Sequence, residues 1–189
     1  MERKHLLLGV TGSVAAIKTP ELVHQLTQLG FDVRLVLTEN AARFIDLTQL
    51  SVPVYRDADE WSWSNRGDPV LHIELRNWAD VLVLAPLSAN TLAKLANGLA
   101  DNLLSTVARS WYFPESTQRK HVLFAPAMNH LMWQHPITME HINRLTLTFG
   151  WILIPPIPKV LICGEQGIGA MAEIADICST VTTQLHESQ

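Results

Sequence analysis

The chain has little cysteine: Cys163 and Cys178 are the only two in 189 residues. Two cysteines cannot build a disulfide framework, and a reducing compartment would keep them as thiols. No paired cysteine–histidine cluster has ligand spacing, so no zinc site, and no resident metal, is expected. Runs of lysine and arginine are missing too, and the net charge is -4. That excludes nucleic acid as the main partner. No apolar stretch approaches the ~18 residues of a membrane span. Met1-Glu2-Arg3-Lys4 leads straight into an apolar run without a secretory leader. A cytoplasmic protein with no membrane partner is the expectation. Repeats, linkers and low-complexity tracts are absent, so residues 1–189 read as one domain with its core near 5–185.

What remains is ordinary globular material, 48% hydrophobic and 17% charged, in a chain long enough for a sizeable core. Short apolar runs over residues 5–11, 31–37, 81–86, 122–125 and 151–154 read as buried strands. Helical stripes lie between them, as in Leu22, Val23, Leu26 and Leu29 before Gly30. Alternating strands and helices predict an α/β fold with three layers around a central parallel sheet. Thr19 is expected to cap a helix restarted at Pro20. Val52 to Tyr55 reads as a proline-marked edge strand, and residues 57–63 as a solvated acidic and aromatic loop. The strand at 151–154 reads as the last one, because Pro155-Pro156-Ile157-Pro158 interrupts any ladder.

Ligands of such sheets bind beyond the strand C-termini, and the polar residues there are suggestive. The first strand ends in Gly12-Ser13-Val14. Gly12 allows a close backbone approach, and Ser13 either caps a helix or meets an anion. The second strand ends at Thr38-Glu39. Glu39 on a ribose would suit a dinucleotide, but Gly9 and Gly12 lack the third glycine of G-x-G-x-x-G. One Gly-Ser turn fits a single phosphate better. The third strand ends in Ala85-Pro86-Leu87-Ser88-Ala89-Asn90-Thr91, with three hydrogen-bonding side chains in four residues at a helix start. The fourth ends in Pro126-Ala127-Met128-Asn129. Asn129 is a helix cap, a ligand contact, or both. His72, beside apolar residues, is either structural or a catalytic base or acid. Gly164, Gly167 and Gly169, just after Cys163, suggest a mobile lid.

These motifs, in this order from near residue 5 to near residue 180, resemble the small flavin-dependent cysteine decarboxylases, in the stand-alone form of the coenzyme A pathway. The matching stretches are Gly12 to Ala16, Gly67-Asp68-Pro69-Val70-Leu71-His72-Ile73-Glu74-Leu75, Ala85 to Thr91, Pro126-Ala127-Met128-Asn129 with Met132-Trp133, and Cys163-Gly164 with Gly169-Ala170-Met171-Ala172-Glu173. The resemblance implies a flavodoxin-like/Rossmann-like fold, FMN, a homotrimer with FMN near subunit interfaces, and 4'-phosphopantothenoylcysteine as the small-molecule substrate. It puts FMN against Gly12, Ser13, Val14, Thr38, Ser88, Ala89, Asn90, Thr91, Ala127 and Met128. It gives the substrate to Asn129 and Met132, a catalytic role to His72, and proton donation from a flap to Cys163. By the same resemblance, the thiol-bearing carbon gives a hydride to FMN, the thioaldehyde takes up the electrons as CO2 leaves, and FMNH2 re-reduces the ene-thiolate. Two positions depart from the family pattern: Glu165 stands where aspartate is usual, and Val160 where a basic residue often is. The alternatives are a peptidyl-cysteine oxidative decarboxylase of the same family and a non-catalytic, phosphatase-inhibitory subunit.

Overall fold

The computed structural model describes residues 4–112, 120–160 and 166–186. Strand β1 (His5–Val10) leads through a 3-10 turn (Val14–Lys18) into α1 (Thr19–Gln28) and β2 (Asp32–Leu37). Two further 3-10 turns precede the short β3 (Val54–Tyr55). Then come α2 (Asp57–Glu60), α3 (Leu71–Trp78), β4 (Val81–Leu87), α4 (Ala89–Ala96) and α5 (Leu103–Arg109). They are followed by β5 (His121–Pro126), α6 (His130–Gln134), α7 (Pro136–Asn143) and β6 (Ile152–Leu153). β7 (Ile157–Val160), β8 (Gln166–Ala170) and α8 (Ile174–His186) complete the described chain.

Six strands form one sheet in the order β3-β2-β1-β4-β5-β6, all neighbours parallel. Without the two-residue edge strand β3, the order is that of flavodoxin-like sheets. All seven residues of β4 are buried, as a central parallel strand requires when helices cover both faces. Side chains alternate between the faces. Leu6, Leu8 and Val10 pack with α1 and α8, while Leu7, Leu82 and Leu84 pack with α3, α4 and α5. The three layers follow from that alternation. Lys120 stops α3 by donating to the carbonyls of Arg76, Asn77 and Ala79 at 3.2, 3.0 and 2.5 Å, and burial pushes its pKa down.

Several expectations need correction. Thr19 does not cap α1: Lys18 precedes the helix, Pro20 sits where no N–H donor is needed, and the Thr19 hydroxyl is buried without a partner among the described residues. Residues 57–60 are helical rather than loop. The strand at 152–153 is not the last. Ile157 and Pro158 enter β7, which pairs antiparallel with β8. A two-stranded ribbon can turn a proline's missing donor outward. Gly167 and Gly169 lie in a regular strand, β8. A Cβ on Gly167 would come within 2.7 Å of His130 Cβ, and one on Gly169, at φ +153°, would collide with the Met128 carbonyl. Among the described residues, no helix is long and apolar enough to cross a membrane.

Candidate active site

The sheet order reverses between β1 and β4, and the crevice beyond their C-termini is the expected ligand position. Thr11, fully buried, ties the two strand ends together. Its hydroxyl donates to the Pro86 carbonyl at 2.8 Å and accepts from the Ser88 amide at 2.7 Å. This bracing holds Ser88 at the start of α4, where its hydroxyl accepts from the Thr91 amide at 3.3 Å. The peptide bond before Pro86 is cis.

A cleft of about 520 Å³ opens at this point. Gly12, Ser13, Val14, Thr38, Ser88, Ala89, Asn90, Thr91, Ala127, Met128 and Met132 all line it. Residues from four separate strand ends therefore meet in one cavity. The floor is polar but settled: Thr91 is 3% exposed and Thr38 7%. The Ser13 hydroxyl accepts from the Ala15 amide at 3.4 Å, the weaker end of capping geometry. Gly12 is needed for packing against the chain's own Asn40. Its φ is ordinary, and a Cβ there would lie 2.6 Å from Asn40 Cβ. Asn40 lines the same cleft, so that close packing narrows its wall.

The cleft also gathers Asp57, expected in a solvated loop, together with Lys94, Asp101 and Asn102. Lys94 Nζ pairs with Asp101 at 2.6 Å, and that contact holds the Asp101 carboxyl below its usual range. Asp57 accepts from the Leu103 amide at 2.8 Å, which fixes α5 to this wall. Helix α4 directs its first turn at the cleft; first-turn N–H groups lack helical partners and favour an anion.

Asn129 and His72 stand outside this lining. Asn129 follows Met128 directly and caps α6, its side-chain oxygen accepting from the Leu131 amide at 2.8 Å. The cap expected of it is present. Strand β8 holds this loop in place, with the Met128 amide donating to the Gly169 carbonyl at 2.9 Å. His72 is held by Glu60: Nδ1 lies 2.5 Å from Oε1, and the His72 amide donates to Oε2 at 3.1 Å. Glu60 is the residue that sequence reasoning missed. Its only signal was an acidic side chain near an unassigned histidine. Cys163 and the Gly164-Glu165 pair lie outside the described residues. A second cavity, of about 280 Å³ and walled by Trp111, Tyr112, Phe149 and Trp151, gathers none of the predicted residues.

The family model named Flavoprotein matches residues 1–186. This chain belongs to the flavoprotein family. A mouse (Mus musculus) phosphopantothenoylcysteine decarboxylase is 49% identical to this flavoprotein over 98% of the chain and 90% of its own length. An Arabidopsis thaliana phosphopantothenoylcysteine decarboxylase is 52% identical over 95% of the chain and 84% of its own length. A probable thymidylate synthase of Schizosaccharomyces pombe is 48% identical over 98% of the chain, which spans only 30% of that protein. Among solved structures, a PPC decarboxylase mutant complexed with pantothenoylaminoethenethiol superposes with a TM-score of 0.92 at 49% identity, covering 98% of this chain and 100% of the other. The FMN-binding protein AtHal3 gives a TM-score of 0.88 at 50% identity, covering 100% and 99%.

Proposed function

We propose that this flavoprotein catalyses the FMN-dependent decarboxylation of 4'-phosphopantothenoylcysteine to 4'-phosphopantetheine. The observation that carries the reading is the single cleft at the sheet's switch point, built from Gly12 to Val14, Thr38, Ser88 to Thr91 and Ala127 to Met128. Relatives about half identical over nearly the whole chain carry that decarboxylase name. The donors suit FMN. The N-terminus of α4 and the Ser88 and Thr91 hydroxyls would hold its phosphate, and the cavity lies within the range of cofactor pockets.

Bound FMN supplies the two-electron sink that loss of CO2 from a cysteine carboxylate otherwise lacks. The protein's own part is to orient and to move protons. Asn129 meets the substrate carboxylate with a neutral amide. The carboxylate loses its charge as CO2 departs, so a cation there would stabilise the ground state more than the transition state. His72 serves as the acid or base, Met132 covers the substrate, and Cys163 donates the last proton. His72 does not line the cleft of its own chain. A homotrimer would bring it to a neighbour's cleft, and the exposed apolar side chains of Val14, Ile17, Leu131 and Met132 support burial of that rim. Sedimentation velocity reads that state, with a monomer contradicting it.

Purification gives the first test. The protein should be yellow, with about one FMN per chain, and Ser88→Ala should lower flavin retention. A colourless protein that ignores added FMN would refute the reading.

A further inference from the structure

We propose that Glu60 is the positioning residue of His72, holding the imidazole protonated at Nδ1 so that Nε2 alone exchanges a proton in the site. The inference rests on the reading of His72 as the reaction's acid or base. It starts from three atoms. Glu60 uses one carboxylate oxygen on His72 Nδ1, at 2.5 Å, and the other on the His72 backbone amide, at 3.1 Å. The two side chains are only 20% and 16% exposed. A carboxylate can only accept hydrogen bonds. Nδ1 is therefore the protonated nitrogen whether the ring is neutral or cationic, and the proton that comes and goes is the one on Nε2.

The double contact also fixes the ring relative to the backbone. His72 lies in the first turn of α3, where helical amides lack partners, and Val70 before it offers no side-chain cap. Glu60 supplies the missing acceptor from another helix. A carboxylate at that end also complements the α3 dipole. α2 is itself held at the cleft: Asp57, one turn back, lines it and takes the Leu103 amide. The hold on His72 is thus coupled to the wall of the cavity. Arg76 and the charges on α2 and α5 do not substitute for Glu60. Arg76 is engaged with Asn77 and the Ser110 carbonyl. On α2, Asp59 accepts from the Arg56 amide and Asp57 from Leu103. On α5 the charged side chain is Arg109, at the helix's far end from Asn102.

A purely structural cap and a positioning residue make different demands, and Glu60→Gln separates them. The glutamine carbonyl still accepts the His72 amide, so the cap survives. Its NH2 then faces Nδ1, which must become an acceptor, and the ring proton moves to Nε2. The FMN-loaded protein, labelled with 15N-histidine, would be studied by long-range 1H–15N spectra at alkaline pH, where the ring is neutral, with His72 assigned through His72→Gln. Protonated Nδ1 is expected in the parent and protonated Nε2 in Glu60→Gln. The rate of flavin bleaching on mixing with 4'-phosphopantothenoylcysteine without oxygen should fall at least tenfold in Glu60→Gln, with KM little changed. Glu60→Asp, which keeps the carboxylate, should recover part of the loss. A parent spectrum with the proton on Nε2 would overturn the proposal even if the variant does not fold. So would a Glu60→Gln enzyme that bleaches at the parental rate. A fully active His72→Gln enzyme would instead remove the reading of His72 on which the proposal stands.

Discussion

The Asn129 side-chain oxygen caps α6 through the Leu131 amide, and the carboxylate contact proposed for the same side chain is a separate role. Substitution separates these roles. Aspartate is as good a cap as asparagine, so Asn129→Asp should melt within about 0.5 kcal/mol of the parent. Its charge would oppose the substrate carboxylate, and like charges brought together cost several kcal/mol. Turnover should fall about 100-fold or more, read as CO2 release by a well-folded protein. Asn129→Arg should also lose kcat, because it favours the charged ground state. An Arg variant with parental kcat would contradict the role given to the amide. For Cys163, the expected outcome of Cys163→Ser is CO2 release with accumulation of the oxidised ene-thiol, detected by mass spectrometry; a normal phosphopantetheine yield would contradict the proton-donor role. Cys178 offers no substitute, because it is buried in α8 and does not line the cleft.

At the scale of elements, the β7–β8 ribbon sets the position of the Asn129 loop. Gly169 allows it: the strand passes so close to the Met128 carbonyl that no Cβ fits, and the Met128 amide closes the contact. Gly169→Ala should cost about 1–3 kcal/mol. It should also lower FMN retention, since Met128 lines the cleft. Unchanged melting and flavin content would mean that the ribbon does not hold the loop. The same ribbon shows where sequence reading stops. The inner strands β1, β4 and β5 are legible because they bury both faces and so become runs of Leu, Val and Ala. The residues at their ends are legible because the sheet reverses there. The ribbon is not. Its prolines and glycines look like breakers, and the reason for the glycines is the approach of His130 and Met128, which are distant in sequence. Helix α2 was missed for a related reason. A four-residue helix has no periodicity to detect, and its two outward contacts, Asp57 to Leu103 and Glu60 to His72, are long-range.

At the scale of the molecule, Glu173 joins three parts of the fold. At the start of α8 it accepts from Lys18 of the first 3-10 turn at 3.0 Å and from Lys159 of β7 at 3.4 Å. The Lys18 hydrogen bond, then that of Lys159, holds its carboxyl below the usual range. A depressed carboxylate pKa stabilises the fold above the ordinary value of ~4.3, and the effect is lost as pH falls through the lower folded value. Half-exposed pairs of this kind contribute about 0.2–1 kcal/mol. Glu173→Gln should therefore melt slightly lower than the parent at pH 7, with the gap closing toward pH 3. An equal gap at both pH values would mean that the pairs do not act through charge.

The proposed function comes down to one chemical statement: on that reading, the cleft between the β1 and β4 ends would carry out a decarboxylation that begins and ends with the same flavin oxidation state. The most direct test is product stoichiometry. Purified protein, given 4'-phosphopantothenoylcysteine without oxygen and without any nicotinamide, should release CO2 and 4'-phosphopantetheine in a one-to-one ratio over many turnovers, with the flavin oxidised at the end. A single turnover that leaves reduced flavin and ene-thiol, or a requirement for added nicotinamide, would contradict it.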